Sequence, residues 1–381
     1  MASVSVIGLG MIPFGKYPER ALVDMASEAA YLALKDAGIK PAQVDLCFFA
    51  NAFAGRLFGD ITIGQNVFWE VGINRVPVIN VENACTSGST AFYLAFNSIA
   101  AGQAEIALVV GAEKLYVPEL GLLDSGQTEW ETQLGQVVST MFAMRAMRHM
   151  IEFNTTVEQL AQVAVKNRRH GQMNPYAQFR TPITVEEVLA SPVIVEPFTR
   201  LQCCPNADGA AAVLLCSPKL AKRLGRAVNV ETAILCSGNY DSPQDLTCWE
   251  TDYRAAKLAY ERAGLGPEDL DLVECHDAFT IAEILHYEAL GLCPIGEGGK
   301  LVEENETSLG GRIPVNVSGG LLSRGHPLGA TGVAQVVEIG TQLRNEAGSR
   351  QVNGAKVGLA QCMGGDKAAD TKSCTMIILS I

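Results

Sequence analysis

The sequence has no apolar run long and charge-free enough to cross a bilayer, which excludes a helical membrane protein. Its first residues, MASVSVIGLGMIPFG, lack a basic segment followed by a long apolar one, so no secretory signal is expected. The closing CTMIILSI reads as a last strand and carries no targeting address, so a cytoplasmic location is expected. No CxxC pair occurs among the eleven cysteines, which leaves a zinc site unsupported. No basic stripe offsets the net charge of −12, which argues against a general nucleic-acid binder. An acidic chain that binds an anionic ligand must gather its cations locally.

What the sequence does have is apolar mass. It has 381 residues, 48% hydrophobic and 18% charged, enough for a large core in one large or two medium domains. Without a secretory signal, an odd and scattered set of cysteines is expected to be reduced and mostly buried.

A repeat organises the chain. YLALKDAGIKPAQVDLCFFANAF (31–53) aligns without a gap to KLAYERAGLGPEDLDLVECHDAF (257–279), at an offset of 257 − 31 = 226. Each copy reads as a helix, a glycine stop, a proline turn and a buried strand. Two copies of one α/β half are expected, 1–225 and 226–381. Strand candidates include SVSVIGLG, DLCFFAN, VPVINVEN, IALVVGAE and AAVLLCS in the first half. VNVETAILCS, LDLVEC, IPVNVSGG, KVGLAQC and TMIILSI follow in the second. Helical patterns alternate with them at 21–37, 87–101, 252–263, 279–290 and 330–344, which predicts mainly parallel sheets covered by helices. Residues 114 to about 200 form a mostly helical excursion, read as lying over the active face.

Four segments could carry chemistry. In NVENACTSGSTAFYLAFNSIAAG (80–102), Cys85 stands where a strand meets an apolar helix. A helix N-terminus lowers a thiol pKa, and Thr86, Ser87, Ser89 and Thr90 can supply capping oxygens, so Cys85 is a candidate nucleophile. The plainer reading is a small residue packed at a tight junction. In SGGLLSRGHPLGATGVAQVVEIG (318–340), His326 lies in a glycine-dense loop whose backbone can approach a neighbour closely. Phosphate cradling is a rival reading, but neither GxxxxGK[ST] nor GxGxxG occurs in that segment. In ECHDAFTIAEILHYEALG (274–291), His276 stands where the first copy of the repeat has Ala50. Asp277 could orient that imidazole or cap the helix starting near Thr280. In VGLAQCMGGDKAAD (357–370), Cys362 precedes a Gly-Gly turn whose N–H groups suit an oxyanion.

Together, NACTSGS, HDAF, SRGHPLGATG and QCMGG, in that order, resemble the thiolase family, in its sterol-carrier-protein-like and archaeal branch. The resemblance covers essentially the whole chain. It implies a five-layered α-β-α-β-α fold of two duplicated halves, assembled as a homodimer or a dimer of dimers. It implies CoA-dependent cleavage of a 3-oxoacyl-CoA, or the reverse Claisen condensation. Cys85 would carry the acyl group, His326 would take its proton, and His276 and His326 would hold the thioester oxygen. Cys362 would be the acid/base, and the N–H groups of Cys85 and Gly364 a second oxyanion hole. Arg168, Arg169, Arg180, Ser318 and Arg324 are candidate CoA contacts, with Lys166 among the nearby cations. No metal and no permanently bound cofactor is implied; CoA and acyl-CoA are substrates. A small zinc-ribbon/OB-fold partner can serve this branch.

The loops near 50–70 are expected to line the acyl pocket, where Phe53, Phe58, Phe68 and Trp69 either pack in the core, the plainer reading, or suit an aromatic substrate such as benzoylsuccinyl-CoA; a short one such as acetoacetyl-CoA is the other candidate. Asp366 departs from the family pattern, in which glycine often follows CMGG. The alternatives are a β-ketoacyl synthase-like condensing enzyme, which does not need Cys362, and a non-catalytic acyl-CoA- or lipid-binding homologue.

Overall fold

The computed structural model describes residues 4–117, 126, 128–224, 227–240 and 245–381. The part of the excursion at 118–125 and 127 lies outside them. The strands are β1 (Ser5–Met11), β2 (Leu46–Ala50), β3 (Val78–Val81), β4 (Ile106–Glu113), β5 (Val193–Val195), β6 (Phe198–Thr199), β7 (Gly209–Cys216), β8 (Val228–Ser237), β9 (Leu272–Glu274), β10 (Val357–Lys367) and β11 (Asp370–Ser380). β5 and β6 form a small ribbon, and the others form one sheet in the order β3-β2-β4-β7-β1-β8-β11-β10-β9.

The sheet is less parallel than the helix–strand alternation predicts. Only β3–β2, β2–β4 and β10–β9 pair in parallel, and the pairs between β4 and β10 run antiparallel. One cause is local. β10 and β11 are joined directly, with Ala368 and Ala369 both at positive φ, the conformation of a tight hairpin turn. IPVNVSGG forms no strand; Val315 makes only an isolated bridge to Val273.

Alternation along the strands defines the layers. In β7, Ala211, Val213 and Leu215 face one core, while Ala210, Ala212, Leu214 and Cys216 face another. The second of these cores is closed by the helix Leu22–Ala37. In β11, Ile377 and Leu379 join the first core, while Cys374, Met376 and Ile378 face a third, closed by the helices Glu250–Ala263 and Thr280–Ala289. The shared middle core is filled by the helices Ser87–Ala100 and Leu328–Leu343. Three helix layers thus alternate with two halves of the sheet. The halves meet only at β1 and β8, through Ser5↔Asn229 and Val6↔Val228.

The repeat recurs down to its hydrogen bonds. Gly38 (φ 64) and Gly264 (φ 67) end the two equivalent helices in the left-handed region. Asp45 accepts the N–H groups of Glu105 and Ile106, and Asp271 those of Lys356 and Val357. Within the excursion, the helices Val138–Phe153 and Val157–Met173 lay Met141, Phe142, Ala146, Leu160 and Val163 into the core of the second half. No helix among the described residues is long and apolar enough to cross a membrane.

Candidate active site

β3 delivers the chain to Cys85 through a sharp turn. Ala84 has φ +49, a conformation that residues with a side chain rarely adopt. The turn is braced from the helix that follows. Asn83 N–H donates to Ser87 Oγ (2.8 Å), Ser87 Oγ–H to the Ala84 carbonyl (2.6 Å) and Thr86 Oγ–H to the Asn83 carbonyl (2.6 Å). Thr86, the N-cap residue, makes no side-chain cap bond. The Ser/Thr cluster thus buttresses the turn instead of capping the helix as the sequence suggests.

His326 lies between the short helix Gly320–Arg324 and the long helix Leu328–Leu343, with Gly325 at φ 107. Thr331 Oγ–H donates to the Pro327 carbonyl (3.0 Å), so the 2.7 Å bond from Thr331 to His326 takes the Nδ1 proton. The Nε2 lone pair is left toward the cleft. His276 is fixed by its backbone. Its N–H donates to Gln361 Oε1 (2.9 Å) and its carbonyl faces His286 Nε2 (3.2 Å). Asp252 joins these partners, through Gln361 Nε2 (3.0 Å) and His286 Nδ1 (2.6 Å). Both ring nitrogens of His276 are buried without a partner.

The segments converge. The ligating atoms of Cys85, His276 and His326 all lie within 4.8 Å of one another. The two imidazoles meet edge to face, with centroids 5.0 Å apart. Cys362 Sγ donates to the Cys85 carbonyl at 3.2 Å. Gly364 presses on the Cys85 turn: a Cβ there would lie 2.9 Å from the backbone nitrogens of Cys85 and Thr86.

All these groups are uncharged at rest. Burial, followed by the nearby Glu113 carboxyl, pushes the Cys85 thiol up to about 12. This reverses the lowered value expected from the helix N-terminus, because desolvation outweighs the dipole. Burial likewise raises Cys362. Burial, then Arg324, lowers His326 to about 3; burial, then His326 and His286, lowers His276 well below its usual value.

A cleft of about 340 Å³ opens over these residues, lined by Cys85, His276, His326 and Gly364 together with Phe53, Met141, Phe142, Phe279, Met363 and Asp366. Of the aromatic residues expected there, only Phe53 lines it. Phe68 is in the core of the first half, and Phe58 and Trp69 are exposed elsewhere. Asp277 neither orients His276 nor caps its own helix. It accepts the N–H groups of Leu321 (2.7 Å) and Leu322 (3.3 Å), holding the helix that leads to His326.

The proposed CoA cations divide. Lys166 is buried against Glu283 (2.6 Å). Arg324 is 1% exposed and reaches Glu274 (3.4 Å) and Ser318 Oγ (3.1 Å), while Ser318 is itself bonded to Glu274. Ser318 and Arg324 are thus a buried brace and do not face a CoA phosphate. Arg168 is half-buried over the Phe179 ring, and Arg169 and Arg180 are exposed. The exposed Arg56 at the cleft rim was missed by sequence reasoning. So was Glu113, buried at the end of β4, which accepts from Asn51, Ala52, Phe53 and Gly329 and ties the Phe53 loop to the His326 helix. A lone acid closing a wholly apolar strand was its signal.

The family model for the thiolase N-terminal domain matches residues 4–219, and that for the thiolase C-terminal domain-like region matches residues 236–379. The acetyl-CoA acetyltransferase of Methanothermobacter thermautotrophicus is 40% identical over 371 residues, 96% of this chain and 97% of that protein. The benzoylsuccinyl-CoA thiolase subunit BbsB of Thauera aromatica is 40% identical over 357 residues, 92% of this chain and 91% of its own. Human sterol carrier protein 2 is 39% identical over 385 residues, 95% of this chain and 70% of its own. The solved Ltp2-ChsH2(DUF35) aldolase shares the fold, with a TM-score of 0.83 at 24% identity over 100% of this chain and 98% of that one. The chain belongs to the thiolase family, in the branch of sterol carrier protein 2, and is an acyltransferase.

Proposed function

We propose that this thiolase exchanges acyl groups between a 3-oxoacyl-CoA and CoA through an acyl-enzyme on Cys85. The observation that carries the reading is the meeting of one thiol and two imidazoles within 4.8 Å, with a second thiol bonded to the nucleophile's own carbonyl. Cys85 Sγ attacks the 3-oxo carbon as its proton passes to His326 Nε2. The N–H groups of Cys85 and Gly364 take the negative charge on that oxygen. The carbon–carbon bond then breaks, leaving the enolate of acetyl-CoA. Its oxygen is held by His276 and protonated His326, each such donor being worth about 3 kcal/mol of barrier. The Cys362 thiol protonates the enolate carbon. The resulting Cys362 thiolate takes the proton of incoming CoA, whose sulfur attacks the acyl group. Cys85 leaves and recovers its proton from His326, which closes the cycle without a redox change.

With Lys166 and Arg324 buried, the cations offered to the CoA phosphates are Arg56, Arg168, Arg169 and Arg180. A relative named as a subunit adds support for a second protein, of the zinc-ribbon/OB-fold kind, that helps hold CoA. The three phenylalanines of the cleft favour an aromatic acyl group over a short aliphatic one.

Intact-protein mass spectrometry after exposure to a 3-oxoacyl-CoA tests the reading. A thioester adduct in the wild type that is absent from Cys85→Ala is the expected result. No adduct in the wild type, with substrate turning over, would remove Cys85 from the chemistry.

A further inference from the structure

Asp366, singled out by the sequence as a departure from the family pattern, has no part in the chemistry above. It lies two residues beyond Gly364 on β10, so the strand carries it ~7 Å from the point where Gly364 touches the Cys85 turn. It lines the same cleft and is 7% exposed, and its Oδ1 is buried with no hydrogen-bond partner. Arg145, an internal cation that acts on it electrostatically, makes no hydrogen bond to it, and its own Nε is likewise buried without a partner. Arg145 gives Nη1 to the carbonyls of Asp245, Leu246 and Cys248 and Nη2 to that of Ala369, and its guanidinium lies 4.3 Å from the Trp249 ring centroid. The nearby Asp370 is filled by Thr251, Asn239 and Thr371. Asp366 therefore keeps an open acceptor in a cleft that is also lined by Phe142 and Phe279. The rings of Phe142 and Phe279 stack there at 4.5 Å.

Buried polar atoms are almost always paired, and an unpaired one in a ligand cleft points to a group on the ligand. We propose that Asp366 selects acyl groups carrying a hydroxyl at their far end, held flat against the Phe142–Phe279 wall, with a hydroxylated aromatic acyl group as the best fit. A hydroxyl set across a ring from the reacting carbonyl has the reach that the strand spacing requires. Burial raises the Asp366 carboxyl to about 7, opposed by Arg145, which fits an acid waiting for a neutral partner. A site built to bond a hydroxyl rejects the analogue that lacks it much more strongly than an apolar pocket rejects an added one.

This inference rests on the thiolase reading, and the experiment separates the two. Thiolytic cleavage of benzoylacetyl-CoA is compared with that of its para-hydroxy counterpart, reading the ratio of kcat/KM. The wild type is expected to favour the hydroxylated substrate at least tenfold. Asp366→Leu is expected to bring the ratio to one or below, and Asp366→Asn, which keeps an acceptor, to retain most of it. Equal cleavage of both substrates by the wild type, or a ratio unchanged in Asp366→Leu, overturns the role of Asp366 and leaves the thiolase reading standing. Cleavage of neither, with no adduct on Cys85, overturns both. The wild-type ratio decides the matter even if Asp366→Leu fails to fold.

Discussion

At the residue scale, Cys85 and His326 meet as a neutral thiol and a neutral imidazole, held there by the burial that lines them up. A thiolate–imidazolium pair would show itself as fast alkylation already at pH 6. Here, inactivation of the substrate-free enzyme by iodoacetamide should rise steadily from pH 6 to 9, because the thiolate fraction of a group near 12 grows about tenfold per pH unit. A plateau in that range would mean a preformed ion pair. The four motif segments were legible as a set because each combines a reactive side chain with the glycine or proline that its turn needs. Side-chain direction was not legible. Lys166 and Arg324 read as ligand cations but turn inward to Glu283 and Glu274, and Asp277 leaves its neighbour His276 to hold a helix 44 residues away. Sequence records a charge, but which face of the element carries it follows from packing.

At the element scale, the two reactive groups are set by the close approach of two helices. A Cβ on Gly88 would lie 2.6 Å from the Gly329 carbonyl oxygen, and one on Gly332 would lie 2.6 Å from the Ser89 nitrogen. The helix behind Cys85 and the helix after His326 thus touch backbone to backbone near their N-termini. Gly332→Ala should drive them apart. A stability loss of ~1–3 kcal/mol in urea unfolding is expected, with kcat falling more than tenfold as the thiol and imidazole separate. Unchanged kcat in a folded variant would show that this contact does not set the distance. The glycines of GATG were legible as a device for close approach. The position of most strands was legible too, from their β-branched and apolar runs. Their direction was not, since the alternation that suggests parallel pairing is also compatible with the β10–β11 hairpin and with β1 inserted between β7 and β8.

At the scale of the whole molecule, the buried acids and bases pull stability in opposite directions. Burial raises Glu113 and Asp366 to about 7 from 4.5 and 3.8, and it raises Glu274 and Asp277 as well. It lowers His170 and His326 to about 3 from 6.5, and it lowers His276 as well. As pH falls from 6.5 to 4.5, the carboxyls take protons first in the folded state, which favours folding. The histidines take them first in the unfolded state, which opposes it. The two slopes offset each other. Below about 4.5 the unfolded carboxyls take up protons as well, so their contribution fades and the histidine slope comes to dominate. The urea midpoint should therefore stay nearly level from pH 6.5 to 4.5 and then fall steeply toward pH 3. A steady decline beginning at pH 6.5 would contradict this balance. The doubling of the body was legible because the repeat survives at the spacing of its caps and turns. The shared middle layer was legible only through the family resemblance, because it is built from helices that lie outside the aligned copies.

The doubling also leaves a mirror position. Ala50 corresponds to His276, but it is fully buried, and the backbone of Gly329 covers it: a Cβ there would lie 2.7 Å from the Ala50 carbonyl oxygen. The tip of the helix that serves one catalytic centre thus fills the space where a twin would stand. Active-site titration should saturate at a single acyl equivalent per polypeptide, however many subunits assemble.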